Sequence, residues 1–393
     1  MSIFFFIVGF VVVVITAPLI AQLSLVTIGG FLPKRKERHL ARNTPTRLVV
    51  VVPAHNEEDS IGRCVQSLRA SDSEEISIFV VAHNCTDSTA ATAKLAGAEV
   101  LVYDDPTAKG KAYALRLGFT HAIQHGAEAV LVVDADSTVS SNLISSVMGA
   151  LAAGAEAVQC RYEMRGTPGH PKSELVSLAV RGFNFVRPLG RQRLGLSAGI
   201  LGNGFALSAD LLSTVPYDAL SVVEDLEYHL HLISAGKRVF FIDDAVVSSE
   251  LPTSQKGEMS QHSRWQGGRL RVARSWMPRL LRELFTGRFA ALEPALDLAG
   301  LPIAFGMTAL FIAAWVPLLP VRLYVLLSLL VILTHVLRAI WAGPQCLRTL
   351  RLLALVPFYL FWKLRLIPNV LRASSAKAAW IRTDRKATAR SVS

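Results

Sequence analysis

Two acidic residues that follow an apolar run could bind a metal ion. Asp134 and Asp136 stand one residue apart directly after the sequence AVLVV (129–133). Carboxylates at this spacing can share a hard divalent cation, directly or through water, and such a cation would neutralise the phosphates of a substrate. The same pair is also typical of a solvated turn that caps the next helix. Neighbouring motifs must decide between the two interpretations.

A second acidic pair, Glu224 and Asp225, opens the helix-like sequence EDLEYHLHLIS. Asp225 could act as a general base on an attacking hydroxyl if it lies near the phosphates. Acidic residues in a first turn also interact favourably with the helix dipole, which would explain the pair without catalysis. Lys111 follows Gly110 at another predicted helix start. That arrangement suits phosphate contact, although an exposed helix cap has the same pattern.

The sequence QHSRW (261–265) precedes a stretch that mixes Arg with Trp, Leu and Phe. Arg264 can hold a pyrophosphate through two hydrogen bonds, and Trp265 can stack on a sugar. An Arg–Trp pair is equally typical of a membrane interface, where it needs no substrate. This motif therefore indicates a diphosphate or acceptor contact only together with the other candidates.

An α/β domain must position these residues. Between Arg47 and about Asp244, short β-branched runs such as LVVVVP (48–53) alternate with Ala-rich, helix-length stretches. This alternation predicts a mostly parallel sheet with helices on both faces. Ligands bind beyond the carboxyl ends of the strands in such sheets. The candidates are therefore the polar segments that follow the strands, namely PAHNE (53–57), HNCTD (83–87) and DAD (134–136).

Apolar runs on both sides of this domain predict membrane anchors. Residues 3–32 carry no charged side chain and exceed the roughly 20 residues that cross a bilayer. A basic cluster that starts at Lys34 follows this run, so the positive-inside rule places residue 33 onward in the cytoplasm. Residues 294–342 predict a transmembrane hairpin that breaks near Pro317 and Pro320, and we expect no buried carboxylate in the transmembrane part.

The charge distribution favours a membrane over a nucleic acid as partner. The 393 residues carry a formal net charge of +11, and 51% of them are hydrophobic, which excludes a disordered or collagen-like chain. The basic charge is confined to 33–47, 261–291 and 348–393, segments that flank the apolar runs, while the rest of the chain is acidic. This pattern is typical of contact with anionic lipid headgroups, and it predicts no nucleic-acid partner.

Together these motifs resemble those of the membrane-anchored inverting glycosyltransferases of family 2, the group of the cellulose, chitin and hyaluronan synthases. The resemblance implies a GT-A fold, a Rossmann-like α/β domain, whose metal would be Mg²⁺ or Mn²⁺. It implies that Asp136, with Asp134, binds this metal, and that Asp225, beside Glu224, is the catalytic base. It implies that Gln261, Arg264 and Trp265 contact the diphosphate or the acceptor. The nucleotide-sugar contacts that it implies are Pro53, Ala54, His55, Glu57, Asn84, Asp87, Lys111, Asp134 and Ala135.

One position departs from the family pattern. His83 stands where relatives usually have Asp, so either Asn84 or Asp87 takes over the contact to the base and ribose, or the nucleotide preference is altered. His262, inside QHSRW, is a milder change.

The resemblance predicts transfer of a sugar, with inversion, from a nucleotide-sugar, a UDP-sugar in our interpretation, to a lipid-linked or glycan acceptor. The setting would be cell-envelope or exopolysaccharide synthesis at the bacterial inner membrane. The predicted N-terminal parts are a transmembrane helix (1–32), a basic linker (33–46) and the GT-A domain (47–260). The motif with an interfacial amphipathic helix (261–293) follows, then a transmembrane hairpin (294–342), and last an interfacial or re-entrant segment with a basic cytoplasmic tail (343–393).

Three alternatives stay open. A processive polysaccharide synthase fits less well, because three spanning helices are few for a channel. A transporter or channel fits poorly, because the transmembrane part is small and is expected to lack buried carboxylates. A catalytically silent nucleotide-sugar-binding subunit is suggested only by His83.

Overall fold

The chain forms two compact units. The computed structural model describes residues 2–34, 47–72, 76–108, 110–219, 221–252 and 255–374. One unit, the α/β unit, comprises Lys34–Arg165 and Gly195–Glu250, and the other, the helical unit, comprises Met1–Pro33, Gly166–Leu194 and Leu251–Ser393.

Parts of the predicted basic segments are not described. Residues 35–46 of the basic linker and residues 375–393 of the basic tail lie outside the described residues, as does Lys109.

Eight strands in the α/β unit form one mixed sheet in the order β3-β2-β1-β4-β7-β6-β8-β5. The strands are β1 (Leu48–Ala54), β2 (Ser77–His83), β3 (Glu99–Tyr103), β4 (Ala129–Val132), β5 (Thr138–Val139), β6 (Ala157–Arg165), β7 (Phe205–Ser208) and β8 (Val239–Glu250). The first four are mutually parallel, with Val50 of β1 opposite both Ile78 of β2 and Leu131 of β4. The predicted α/β class with a mostly parallel sheet is confirmed.

Helices surround the sheet and build the helical unit. They are α1 (Ser2–Phe31), α2 (Ile61–Arg69), α3 (Thr89–Leu95), α4 (Lys111–Gln124), α5 (Leu143–Ala152), α6 (Pro171–Arg181), α7 (Arg187–Leu194), α8 (Ala209–Thr214), α9 (Glu224–Ser234), α10 (Gln255–Phe285), α11 (Leu292–Ala299), α12 (Ile303–Ala313), α13 (Leu319–Trp341), α14 (Cys346–Leu352), α15 (Val356–Leu364) and α16 (Ile367–Ala373). A π-helical turn (Gly182–Val186) joins α6 to α7, and two 3₁₀ turns occupy Phe289–Ala291 and Leu353–Leu355.

The order of the parallel strands creates a crevice at one edge of the sheet. β2 and β4 lie on opposite sides of β1. Helices α2, α3 and α5 pack on one face of the sheet, and α4, α8 and α9 pack on the other. The helix that follows β3, α4, covers the opposite face from α2 and α3, which follow β1 and β2, so the strand order reverses between β1 and β4. Open α/β sheets bind ligands at such a reversal, beyond the carboxyl ends of the strands.

Two helices of the helical unit are long and apolar enough to cross a membrane. They are Ile3–Phe31, within α1, and Leu319–Trp341, which is α13. The two helices pack on each other through apolar side chains, and Thr27 and His335 are joined by a buried hydrogen bond of 2.9 Å between Oγ1 and Nδ1. Small polar contacts of this kind are common between helices in a membrane.

The first half of the predicted hairpin is not one straight helix. Phe289–Ala299 and Ile303–Ala313 meet at an angle of 71°, so together they are a candidate for a broken span or a re-entrant loop. By length and composition, the described residues contain two candidate spans, or up to three. Pro302 explains the break, because it lacks a backbone N–H and disfavours helical geometry in the residue before it.

The expectation that the transmembrane part holds no buried carboxylate was wrong. Glu293 and Asp297, both in α11 within the bent pair, are only 4% and 7% exposed. Arg187 donates to Asp297 at 2.8 Å, and Arg191 donates to Glu293 at 2.8 Å and lies 3.3 Å from Asp297. Arg269 of α10 also pairs with Asp297, at 3.1 Å. Sequence inspection missed these pairs because the partners are 28 to 110 residues apart.

Candidate active site

Lys111 connects three segments at the carboxyl edge of the sheet. It is the first residue of α4, and its ammonium group forms an ion pair with Asp134, which follows β4 by two residues. The same ammonium group donates to the carbonyl oxygen of Gly202 at 2.5 Å. The N-terminus of α4, the end of β4 and the 202–204 loop are thereby held together.

Buried amides hold the 202–204 loop in place. Asn203 is fully buried, and it accepts a hydrogen bond from the backbone N–H of Asp134 at 3.0 Å and donates to Ser137 at 2.8 Å. Gln159, in the middle of β6, donates to the carbonyl oxygen of Asn203 at 2.7 Å. Gln159 was not among the residues predicted from the sequence, although a single amide side chain inside the apolar run AVQC (157–160) indicates a buried polar contact.

Gly202 allows the loop to approach Asp225 closely. Its φ is +78°, a left-handed conformation that glycine adopts without strain. A Cβ added at this position would lie 3.1 Å from Oδ2 of Asp225. Gly202 therefore bonds to Lys111 through its carbonyl oxygen and leaves room for the Asp225 carboxylate beside its Cα. Three residues predicted from the sequence, Lys111, Asp134 and Asp225, thus belong to one cluster.

Glu224 and Asp225 occupy the first turn of α9, and both are half-buried. Burial raises the pKa of both carboxyl groups, and the negative charge of Asp225 raises the pKa of Glu224 further, to about 7. The Lys111 ammonium opposes this shift in both pKa values. Oδ1 of Asp225 accepts a hydrogen bond from the backbone N–H of Leu226 at 2.8 Å, which fixes the carboxylate. A carboxylate with a raised pKa is a stronger proton acceptor than an exposed one.

The donor set around Asp136 fits a cation that is shared with a substrate. Asp136 accepts a hydrogen bond from the hydroxyl of Ser137 at 3.2 Å, while Asp134 is engaged by Lys111. No group of three or more His, Cys, Asp or Glu side chains among the described residues could hold a metal ion. Mg²⁺ characteristically binds one or two protein carboxylates and completes its shell with substrate phosphates and water, so hard oxygens at Asp136 suit it.

The loop after β1 lies beside the loop after β2. Nδ1 of His55 is 2.9 Å from the carbonyl oxygen of His83. The backbone N–H of Glu57 donates to Thr89 at 2.7 Å, and the Glu57 carboxylate accepts from the hydroxyl of Ser60 at 2.9 Å. Pro53 and Ala54 are the last two residues of β1, so all four predicted contacts from this segment stand at the same edge.

Two of the predicted nucleotide contacts have structural partners of their own. The Asn84 side chain accepts from the backbone N–H of Asp105 at 2.7 Å and donates to the carbonyl oxygens of Asp105, at 2.9 Å, and Ala108, at 3.2 Å. The Asp87 carboxylate accepts from the backbone N–H groups of Thr89 and Glu58 at 3.0 and 3.2 Å. In this structure both side chains hold loops.

The position that departs from the family pattern is buried. His83, the last residue of β2, is 4% exposed, and burial lowers the pKa of its imidazole. The ring stacks at 5.9 Å on Tyr103 of β3. A neutral ring at this place offers no charge to a ligand, unlike the Asp of the family pattern.

The QHSRW residues lie on α10 in the helical unit. Gln261 and His262 are buried, and Arg264 and Trp265 are half-buried. The Lys363 ammonium donates to Nδ1 of His262 at 3.2 Å. Burial and the charges of Lys363 and Lys172 lower the pKa of His262 to about 3, so the ring is neutral and accepts this bond.

The mostly parallel sheet, with Asp134 and Asp136 at its carboxyl edge, has the architecture of a GT-A domain. Residues 45–268 match the family described as "Glycosyltransferase like family 2". The chain belongs to this family, and its members use nucleotide-sugars as donors.

Two further comparisons agree with this assignment. A 4,4'-diaponeurosporenoate glycosyltransferase of Staphylococcus aureus (strain MRSA252) is 36% identical over 94 residues, which cover 23% of this chain and 24% of that protein. The match thus spans about a quarter of the curated relative. The mannosyltransferase PcManGT from Pyrobaculum calidifontis, in complex with GDP-Man and Mn²⁺, is 18% identical with a TM-score of 0.53, and the match covers 86% of this chain and 99% of that one. At 18% identity, the similarity to this mannosyltransferase shows only that the two proteins share a fold.

Proposed function

We propose that this glycosyltransferase moves a sugar from a UDP-sugar to an acceptor hydroxyl and inverts the anomeric carbon. The observation that carries the proposal is the cluster at the sheet edge, in which the Gly202 carbonyl oxygen accepts a bond from the Lys111 ammonium group and a Cβ at Gly202 would lie 3.1 Å from the carboxylate of Asp225. The Lys111 ammonium, which can bind a diphosphate, therefore lies near the Asp225 carboxylate, which can accept a proton from a hydroxyl group.

The residues divide the reaction between them. Asp225 takes the proton of the acceptor hydroxyl as this oxygen attacks the anomeric carbon, and Glu224 stands beside it in the same turn of α9. The bond from that carbon to the diphosphate oxygen breaks on the opposite face, and Lys111 stabilises the leaving charge. Asp136, with Asp134, would hold Mg²⁺ or Mn²⁺, which supplies Lewis-acid stabilisation of the diphosphate when it is bound.

The nucleotide half of the donor occupies the edge formed by the first two strands. Pro53, Ala54, His55 and Glu57 line the base and ribose in this proposal, and Ala135 borders the diphosphate. Asn84 and Asp87 act by holding their loops in shape, because their side-chain groups already bond to the chain.

The acceptor side rests on the resemblance and on the membrane helices. Arg264, with Gln261 and Trp265, contacts the diphosphate or acceptor in this proposal. Positive charge after α1 favours a cytoplasmic catalytic unit at the bacterial inner membrane. Two spans, or up to three, favour single transfer to a lipid-linked acceptor over a processive synthase with its own channel.

Nucleotide release from a panel of UDP- and GDP-sugars tests the proposal, with purified full-length protein in lipid vesicles, Mn²⁺ or EDTA, and bacterial lipid extract. We expect release from one UDP-sugar that is lost with EDTA and in Asp136→Ala. Asp244→Asn is the control, since Asp244 is an exposed aspartate of β8. Silence with every donor, while donors still bind, would establish a silent binding subunit instead, and release from GDP-sugars alone would refute the UDP preference.

A further inference from the structure

An apolar groove of about 850 Å³ lies in the helical unit between α12 and α15. Phe311, Ile312 and Trp315 line one wall, and Leu360, Phe361 and Leu364 line the other. The Trp315 side chain is 86% exposed, and Phe311, Ile312 and Phe361 are about half exposed. An apolar surface of this size would be costly in water, so it needs an apolar partner.

The position of the groove in the fold indicates a hydrocarbon partner. α12 is the second half of the bent helix pair that has the length and composition of a membrane span. α15 has nine residues and is too short to span. A groove between a span and a short helix beside it is accessible to the chain of a lipid.

The opposite face of α15 contacts the QHSRW helix. Lys363 donates to His262, and the ring of Trp362 meets the ring of His262 edge-on with centroids 5.5 Å apart. Positions 360, 361 and 364 face the groove while 362 and 363 face α10. One helix therefore separates the groove from the motif that the family resemblance assigns to the acceptor.

A cation stands at the rim of the groove. Arg365 follows α15 directly, is exposed, and places its guanidinium carbon 4.6 Å above the ring of Phe361. An apolar wall that ends at an exposed guanidinium matches a lipid whose chain ends in an anionic group.

We propose that this groove holds the hydrocarbon chain of the acceptor, an anionic long-chain lipid, with Arg365 at its anionic group. The proposal rests on the proposed function and adds the substrate class and the place of its chain. It predicts that occupancy is saturable and selects anionic lipids, which ordinary solvation of a membrane helix by lipid does not.

Photolabelling tests the groove without any need for turnover. The full-length protein in phosphatidylcholine vesicles is irradiated with a diazirine-bearing hexadecyl phosphate, and the labelled peptides are mapped. We expect label on α12 and α15 that excess unlabelled hexadecyl phosphate displaces, and that hexadecyl glucoside displaces less well. Phe361→Ala should weaken this labelling about tenfold, since an aromatic wall of the groove is lost. Phe358→Ala, an exposed Phe on the same helix but outside the groove, should not.

Two more variants test the opposite wall of the groove and the cation at its rim. Ile312→Ala, on the opposite wall, should reproduce the Phe361→Ala effect at unchanged melting temperature. Arg365→Gln should abolish the preference for the phosphate over the glucoside. Label that no competitor displaces, and that falls equally on the exposed Leu326 and Leu327 of α13, would overturn the proposal. Saturable labelling together with silence in the nucleotide-release assay would leave a lipid site in the groove and refute both the enzymatic function and the role of this lipid as acceptor.

Discussion

Replacing Asp225 with Asn removes a proton acceptor while it keeps the shape of the side chain. If Asp225 is the general base, we expect kcat to fall by about 10²–10⁴, which corresponds to about 2.7–5.4 kcal/mol of transition-state stabilisation. Donor binding should remain, because Lys111 and Asp134 keep their ion pair. Glu227→Gln is a matched control, because Glu227 lies in the same first turn of α9 and has no role in the proposal.

The pH dependence of the rate gives the reasoning a second check. A base works only when it is deprotonated, and burial raises the pKa of both Glu224 and Asp225. In the parent protein the acid limb of kcat/KM should therefore lie above the ordinary carboxyl range, with the rate rising as pH increases. In Asp225→Asn the negative charge that helps to raise the Glu224 pKa is gone. The acid limb of any residual rate should therefore move to lower pH.

Nucleotide release measured from pH 5 to 9 with the parent, Asp225→Asn, Glu224→Gln and Glu227→Gln separates the possibilities. A full rate in Asp225→Asn with a collapsed rate in Glu224→Gln would assign the base to Glu224 and refute our assignment. Full rates in both variants would refute carboxylate base catalysis at this site.

Three more perturbations test other parts of the structure. Lys111→Gln should raise the KM for the donor about tenfold or more, measured by nucleotide release, because a charge-assisted bond to the diphosphate is lost; an unchanged KM would exclude that contact. Gly202→Ala should lower kcat at unchanged donor affinity, because the added Cβ would lie 3.1 Å from Oδ2 of Asp225 and push the carboxylate aside, and because alanine is strained at a φ of +78°. A normal kcat in this variant would contradict the close approach of Gly202 to Asp225. Asp297→Ala should cost about 3–5 kcal/mol of folding stability, because it leaves the buried Arg187 guanidinium without its carboxylate and removes one partner each from Arg191 and Arg269. Thermal unfolding in detergent checks this against Arg348→Gln, whose pair with Glu174 is half exposed, and equal melting temperatures would contradict it.

Local patterns were enough to predict the α/β unit of the fold. Each parallel strand is a short β-branched run, and the polar residue that follows it must stand at the carboxyl edge, so Asp134 could be placed there from the sequence. What the pattern could not show is which polar groups are already occupied. Asn84 has the residue type of a nucleotide contact, but its amide bonds to the backbone of Asp105 and Ala108, residues 21 and 24 positions away.

The helical unit was less predictable, because its polar residues are explained only by distant partners. Glu293 and Asp297 sit in an apolar helix, where a charge is costly unless it is paired and hydrogen-bonded. Asp297 pairs with guanidinium groups from α7 and α10, and Glu293 accepts from Arg191 and, at 2.9 Å, from Gln22 of α1.

Buried carboxylates in a membrane segment are otherwise a sign of an ion pathway, so one of the two grounds on which a transporter was set aside does not hold. The ion pairs of Glu293 and Asp297 supply a better reason to set a transporter aside. A site that carries ions must expose its carboxylates to a water-filled path at some stage. Here both carboxylates are buried and bonded to neighbouring helices, Asp297 to three guanidinium groups and Glu293 to the Arg191 guanidinium and the Gln22 amide. Such an arrangement fixes α1, α7, α10 and α11 to one another, and because Arg269 lies one turn after Trp265 on α10, it also fixes the helix that presents the QHSRW residues.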